Sequence, residues 1–97
     1  MLNHEGAFMR VKSNYIFRRI ADEDLLIPTG EAALTTKGLI ALSESGSLLY
    51  QKLQRECTRE DLVAALTAEY DVPEAVAAED VDAFLNQMRQ LNMLVEA

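Results

Sequence analysis

The sequence has too few cysteines and histidines for the covalent and metal frameworks that stabilise many small proteins. Its 97 residues include one cysteine and one histidine, which excludes an internal disulfide and a zinc site of several Cys and His ligands. The opening MLNHEGAFMR lacks the apolar core of a secretory signal, and no apolar run approaches the roughly 18 residues of a membrane span. We therefore expect a cytoplasmic protein without metal, cofactor or membrane contact.

Positive charge is also scarce. Nine Lys and Arg face sixteen Asp and Glu, so the net charge is −7. Such a chain is repelled by phosphate backbones and anionic membranes, which disfavours nucleic acid as a partner and favours a neutral or basic one. Apolar residues make up 49% of the chain, which is typical of a folded protein, and this length suits one domain with one core.

The first half of the chain indicates short strands. YIFRRI (15–20) mixes aromatic and β-branched residues, ADED (21–24) indicates a turn, and LLIP (25–28) ends in a proline that a strand end tolerates. These segments predict a hairpin, and LIAL (39–42) predicts a third strand that is apolar on both faces.

Two further segments carry weaker signals. The stretch before LIAL is ambiguous, with a short extended piece at residues 33–35 and a turn ending at Gly38 as one interpretation. Residues 1–13 show no periodicity, so we expect a flexible lead-in there, followed by a single domain over 14–97.

Three helices follow with stronger signals. Ser43 is placed to cap a helix that runs to about Gln54, and Thr58 with Asp61 approximates the capping box of a second helix. A third helix begins near Pro73 and ends before Asn92, a residue suited to a left-handed conformation. Its apolar stripe, spaced 4, 3, 1, 3 and 3, consists of Ala77, Val81, Phe84, Leu85, Met88 and Leu91.

The order of strands and then helices predicts an α+β fold. Segregated elements argue against alternating βαβ units. A small antiparallel sheet of two or three strands followed by a three-helix bundle has winged-helix-like proportions.

Three segments in the second half of the chain together carry a family resemblance. They are LSESGSLLYQKL (42–53), TREDLVAALTAEYDV (58–72) and AEDVDAFLNQMRQLNML (78–94). In this order and spacing they resemble the PqqD family, whose members recognise precursor peptides in ribosomal peptide modification. With the hairpin, the resemblance covers roughly residues 14–95. It departs from the family at connectors, where QREC (54–57) replaces a Gly-containing turn and Asn92 replaces a usual glycine, and at Ser43, where asparagine is common.

The resemblance implies a non-catalytic peptide chaperone, a recognition element of natural product biosynthesis. A leader peptide is expected to add as a strand beside the third strand and against the third helix, with a radical S-adenosylmethionine maturase as partner enzyme. A homodimer through the same open edge is an alternative use of that strand. The expected peptide-binding residues are Leu39, Ile40, Ala41 and Leu42 on the strand and Asp80, Ala83, Phe84 and Met88 on the helix.

Several of these residues have simpler interpretations. Phe84 and Met88 also fit the core stripe, and Asp80 is either a partner for a basic leader residue or an exposed helix carboxylate. Cys57 precedes the Thr58 cap, with Leu62 at the spacing of a hydrophobic staple, so a structural role is expected for it.

The alternative function is a winged-helix DNA-binding transcription regulator. Base-reading helices carry exposed Lys and Arg, whereas the second helix has one arginine against three carboxylates and the third has Arg89 against several. The charge pattern therefore favours peptide binding.

Overall fold

The computed structural model describes residues 7–35 and 38–96, which contain five strands and four helices. In chain order these are β1 (Met9–Val11), β2 (Tyr15–Ile20), β3 (Glu23–Pro28), α1 (Glu31–Thr35), β4 (Ile40–Leu42), α2 (Glu44–Lys52), α3 (Arg59–Glu69), α4 (Glu74–Gln90) and β5 (Leu94–Glu96). The predicted α+β class, with a small antiparallel sheet followed by three longer helices, is confirmed.

The main sheet is antiparallel, with the strand order β2–β3–β4. The predicted hairpin is present as β2 and β3, and its turn consists of Ala21 and Asp22, which both have positive φ angles of 51° and 68°. Two left-handed residues match the twist of the flanking strands. Leu26 at the centre of β3 pairs with Phe17 and Ile40 on its two neighbours and is completely buried.

The stretch before β4 contains a short helix, α1, although the sequence left open an extended piece at residues 33–35. The Ala32 N–H donates to the Thr29 carbonyl and the Ala33 N–H to the Gly30 carbonyl, and Gly30 has a φ of 56°. Ala32 is buried against the core. The left-handed glycine turns the chain into α1 directly after β3, so the suggestion of extended residues at 33–35 is wrong.

A second, two-stranded sheet joins β1 to β5, and neither strand was predicted. Val11 pairs with Leu94, the Val11 N–H donates to the Leu53 carbonyl at 2.9 Å, and Met9 exchanges two backbone hydrogen bonds with Cys57. Met9 and Val11 are both 6% exposed. The lead-in expected over residues 1–13 therefore contains a strand packed on the core, while residues 1–6 lie outside the described ranges.

Side-chain and backbone caps fix the helix ends much as predicted. The Gly46 N–H donates to Ser43 Oγ at 3.0 Å, and Thr58 and Asp61 exchange hydrogen bonds of 3.1 and 2.9 Å in a complete capping box. Asn92 has a φ of 57°, and the Met93 N–H reaches back to the Met88 carbonyl at 2.8 Å, which closes α4.

The core lies between the sheet and the three longer helices. The predicted stripe of α4 supplies five buried residues, Ala77, Val81, Phe84, Leu85 and Met88. The Phe17 ring of β2 stacks on Tyr50 of α2 with centroids 6.0 Å apart. Cys57 and Leu62 are both buried, and burial raises the pKa of the Cys57 thiol, which fits a structural rather than a reactive cysteine.

One carboxylate, that of Asp24, ties three of these elements together. It is 8% exposed and accepts hydrogen bonds from Arg19 Nε at 2.6 Å, Arg19 Nη2 at 3.0 Å and Ser47 Oγ at 2.6 Å. The hydrogen bonds from Arg19, and then that from Ser47, lower the pKa of Asp24 to about 2. Strands β2 and β3 and helix α2 are thereby joined at one point.

Replacing Ser47 by alanine tests the contribution of this junction. The substitution removes the helix partner of a charged, buried acceptor, so we expect the free energy of unfolding to fall by about 1–3 kcal/mol. Urea denaturation followed by circular dichroism measures it. Ser45→Ala is the matched control, because Ser45 lies two residues earlier and its hydroxyl shares a hydrogen bond of 3.4 Å with the exposed Ser43 hydroxyl rather than with Asp24. Equal losses in the two variants would contradict a special role for Ser47.

Acid should weaken the same junction. Because the pKa of Asp24 is lowered from 3.8 to about 2, its ionised form stabilises the fold above about pH 4, and that stabilisation is lost as the pH falls through about 2. We therefore expect the stability gap between the wild type and Asp24→Asn to shrink from pH 5 towards about pH 2. Paired urea titrations at these pH values measure it, and a gap that is independent of pH would contradict the assignment.

Candidate binding edge and groove

Strand β4 lies at the edge of the main sheet and pairs with β3 on one side. No strand within the described ranges pairs with its other side. Ile40 and Leu42 are half-buried and pack against the core, whereas Ala41 and the preceding Leu39 are exposed, Leu39 by 55%. The strand therefore presents a row of backbone groups at its free edge and apolar side chains on both faces.

The free edge is held in position by the start of α2. Ser43 follows β4 directly and caps the helix, and its carbonyl accepts the Ser47 N–H at 2.9 Å. Ser47 in turn is bonded to Asp24, which is the register partner of Leu42. The end of β4 and the first turn of α2 are thus tied to the neighbouring strand β3 by both register and side chains.

A groove with a volume of about 210 Å³ lies between the first turns of α2 and the middle of α4. On α4 its lining residues follow the helical spacing i, i+3, i+4 and i+7. The lining residues are Ser43, Ser45, Gly46, Leu49, Asp80, Ala83, Phe84 and Gln87.

A glycine brings the two walls of this groove close together. A Cβ on Gly46 would lie 3.6 Å from the Phe84 ring and 3.1 Å from Ser43 Oγ. The missing side chain therefore leaves room for both the phenylalanine ring and the capping hydroxyl. Phe84 is 6% exposed and forms part of the groove floor.

The structure brings most of the predicted helix residues to the groove, with one exception. Asp80 and Ala83 are exposed and line it together with Phe84. Met88 is completely buried in the core, since it lies four residues after Phe84 on the centre of the apolar stripe, and it does not line the groove. Gln87, which was not predicted, takes that place. Its position seven residues after Asp80 was the available signal.

A larger hollow of about 550 Å³ lies between α3 and α4 but does not border β4. Its rim includes Arg59, whose guanidinium forms a bidentate ion pair with Asp82 at 2.7 and 3.0 Å. The smaller groove, in contrast, includes Ser43, the residue that directly follows β4.

The groove carries few side chains that titrate or that ligate metals. Its lining has one carboxylate, Asp80, two serines and no histidine, cysteine or lysine. Within the described ranges, no group of three or more His, Cys, Asp or Glu could hold a metal ion. In the same part of the chain, no helix is both long and apolar enough to span a membrane.

Two solved structures share this fold. One is TbiB1 in complex with the TbiA(beta) leader peptide, which is 25% identical, has a TM-score of 0.70 and is aligned over 88% of this chain and 93% of its own. The other is lasso peptide synthetase B1 complexed with the leader peptide, which is 18% identical, has a TM-score of 0.71 and is aligned over 90% of this chain and 96% of its own. The second likeness concerns the fold alone.

The family assignment comes from the sequence. No curated protein sequence matches the chain. The model of the family described as coenzyme PQQ synthesis protein D (PqqD) matches residues 25–94, from the middle of β3 to the start of β5 and more than half of the chain, so this protein belongs to the PqqD family.

Proposed function

We propose that this chain is a non-catalytic peptide-binding protein that captures the leader of a ribosomally made precursor peptide and presents it to a modifying enzyme. The observation that carries the proposal is the free edge of β4 beside the α2–α4 groove. Two structures of the same fold, one of them 25% identical, hold leader peptides. In this protein the peptide adds as a strand along residues 39–42.

Main-chain hydrogen bonds supply only part of the affinity. An edge of this length offers about two to four of them, each contributing roughly 0.5–1.5 kcal/mol net, and ordering a flexible peptide offsets much of that. Burial of apolar surface at about 25 cal/mol per Å² must contribute the remainder. The exposed Leu39 and Ala41 on the strand and the exposed Ala83 in the groove provide that surface.

The partner enzyme supplies the chemistry that this chain lacks. The family resemblance favours a radical S-adenosylmethionine maturase in the cytoplasm, where precursor peptides are made. A second copy of the chain is a competing occupant of the β4 edge. A homodimer formed there would dissociate when the leader peptide binds, because both use the same backbone groups.

The DNA-binding alternative gains no support. Arg59 of α3 is paired with Asp82, and Arg89 of α4 is paired with Glu96 at 3.0 Å. The arginines of the two helices that would approach a phosphate backbone are therefore already engaged by carboxylates. Neither the family model nor the two similar structures is described as binding DNA.

Titration of the leader peptide into isotope-labelled protein tests the proposal directly. We expect NMR shift changes concentrated at residues 39–42 and 80–87, because these line the edge and the groove. The probe is the leader of a precursor encoded beside this gene. An absence of shift changes in those two segments at high micromolar peptide would overturn the proposed function.

Filling the groove should block binding without affecting the fold. Ala83 is exposed on α4 and lines the groove, so Ala83→Trp places a large ring where the peptide lies. We expect affinity to fall at least about tenfold, which corresponds to about 1.4 kcal/mol, in a fluorescence anisotropy assay. Ala75→Trp is the matched control, because Ala75 is exposed on the same helix outside the groove. Equal affinity of the two variants would place the peptide elsewhere.

A further inference from the structure

A second cavity, with a volume of about 330 Å³, adjoins the groove at the start of α2. It shares Ser43, Ser45 and Asp80 with the groove and extends towards the end of α3. We call it the end pocket, and its lining residues are Ser43, Glu44, Ser45, Leu66, Tyr70, Val72 and Asp80. A peptide strand that follows β4 towards α2 would reach the end pocket next.

The floor of the end pocket is apolar. Leu66 is 1% exposed, and Tyr70 and Val72 are half-buried and pack against the core. Such a floor favours the aliphatic or aromatic part of a side chain, because their contact removes apolar surface from water.

The rim of the end pocket is negatively charged. Glu44 at the start of α2 and Asp80 on α4 are both exposed. Neither carboxylate takes part in an ion pair within the described ranges, whereas the three arginine ion pairs there use other acids. Arg19 belongs mainly to Asp24, which accepts both of its side-chain hydrogen bonds and is the main cause of its raised pKa, whereas the charge of Glu44 is the last of the causes.

Two other features act on the charge of the rim. Glu69 adds negative charge near the rim, since burial and then the charges of Glu44 and Glu69 raise the pKa of the Tyr70 phenol. The amino end of α2 contributes about half a positive charge in opposition. Its Ser43 cap already accepts the Gly46 N–H, and two full negative charges outweigh the remainder.

We propose that the end pocket binds a lysine or arginine side chain of the peptide, an inference that rests on the proposed function. The aliphatic stem lies on Leu66, Tyr70 and Val72, and the cationic head lies between Glu44 and Asp80. Long basic side chains suit a pocket of this kind because they bury their stems while the charge stays at the wet rim. An arginine gains an additional contact with the face of the Tyr70 ring.

The strand edge by itself does not distinguish charged from uncharged peptide residues. The end pocket would therefore give the site its preference for a basic residue. Backbone hydrogen bonds along β4 do not depend on the peptide sequence, and the groove, whose lining is partly polar and partly apolar, selects mainly by size. An acidic pocket at one end adds a requirement for a basic residue at a fixed distance from the side chain in the groove. The net charge of −7 acts in the same direction by drawing basic peptides towards the protein.

Peptide selection against matched variants tests the end pocket. A display library of random peptides is selected on the wild type, on Glu44→Gln/Asp80→Asn, and on Glu56→Gln/Glu79→Gln. The last variant changes the net charge equally, at exposed residues outside the end pocket and the groove. We expect Lys or Arg to be enriched at one position by the wild type and the control, and not by the pocket variant.

A double-mutant cycle on one selected peptide measures the interaction. Replacing its basic residue by norleucine should weaken binding to the wild type by about threefold to tenfold, and should leave binding to the pocket variant nearly unchanged. Thermal unfolding confirms that the variants are folded. An equal loss on the wild type and on the pocket variant would overturn the assignment.

The outcomes separate this inference from the proposed function. Selected peptides that shift residues 39–42 and fail to bind Ala83→Trp, yet show no basic preference, would overturn the end pocket and leave the proposed function standing. Enrichment of acidic or purely apolar residues at every position would do the same. If no selected peptide shifts residues 39–42 or the groove, the proposed function fails, and the end pocket fails with it.

Discussion

The buried carboxylate of Asp24 is the contact on which the candidate site depends. It lies on the middle strand of the main sheet and receives Arg19 from one neighbouring strand and Ser47 from α2. Strand β4 pairs with the other side of β3 and leads directly into α2. It is therefore held along one edge by β3 and at its carboxyl end by α2. A buried charge needs such partners, because desolvation is otherwise costly. The partners of Asp24 are Arg19 of β2 and Ser47 of α2. The same hydrogen bonds therefore stabilise the fold and hold α2, into which β4 leads, in place.

An exposed strand edge is a hazard for most proteins because it invites pairing with other chains. In this protein the hazard is limited by length, since β4 has three residues. The α2–α4 groove begins at Ser43, the residue directly after β4, so we expect a strand that adds at the edge to place a side chain in it. A partner that lacks suitable side chains gains a few backbone hydrogen bonds and little burial. At the proposed site, an open edge and a small groove would together restrict which peptides bind well.

The sequence predicted those parts of the fold that rest on local chemistry. The Thr58–Asp61 capping box, the hairpin and the stripe of α4 each depend on neighbouring residues, and all three are present. Strands β1 and β5 could not be found in this way. Each has three residues, which is too short to show a periodic pattern. The two also pair across most of the chain length, as Val11 does with Leu94, so no neighbouring residues indicate the pairing. The sequence also could not decide that Met88 is buried in the core while Gln87 lines the groove. That choice depends on the rotation of α4 about its own axis, which is set by its packing against α2 and α3.

The selectivity of the site must come from side chains and not from the strand edge itself. Backbone hydrogen bonds give the same free energy to any extended peptide without proline at the paired positions. The groove holds about 210 Å³, enough for a small side chain but too small to read a long sequence. A second determinant at a different point along the peptide strand greatly reduces the number of sequences that satisfy both. In the proposed end pocket, the carboxylates of Glu44 on α2 and Asp80 on α4 would provide such a determinant. The requirement for two different groups at a fixed separation would let a short, open edge distinguish one precursor from the many extended segments in a cell.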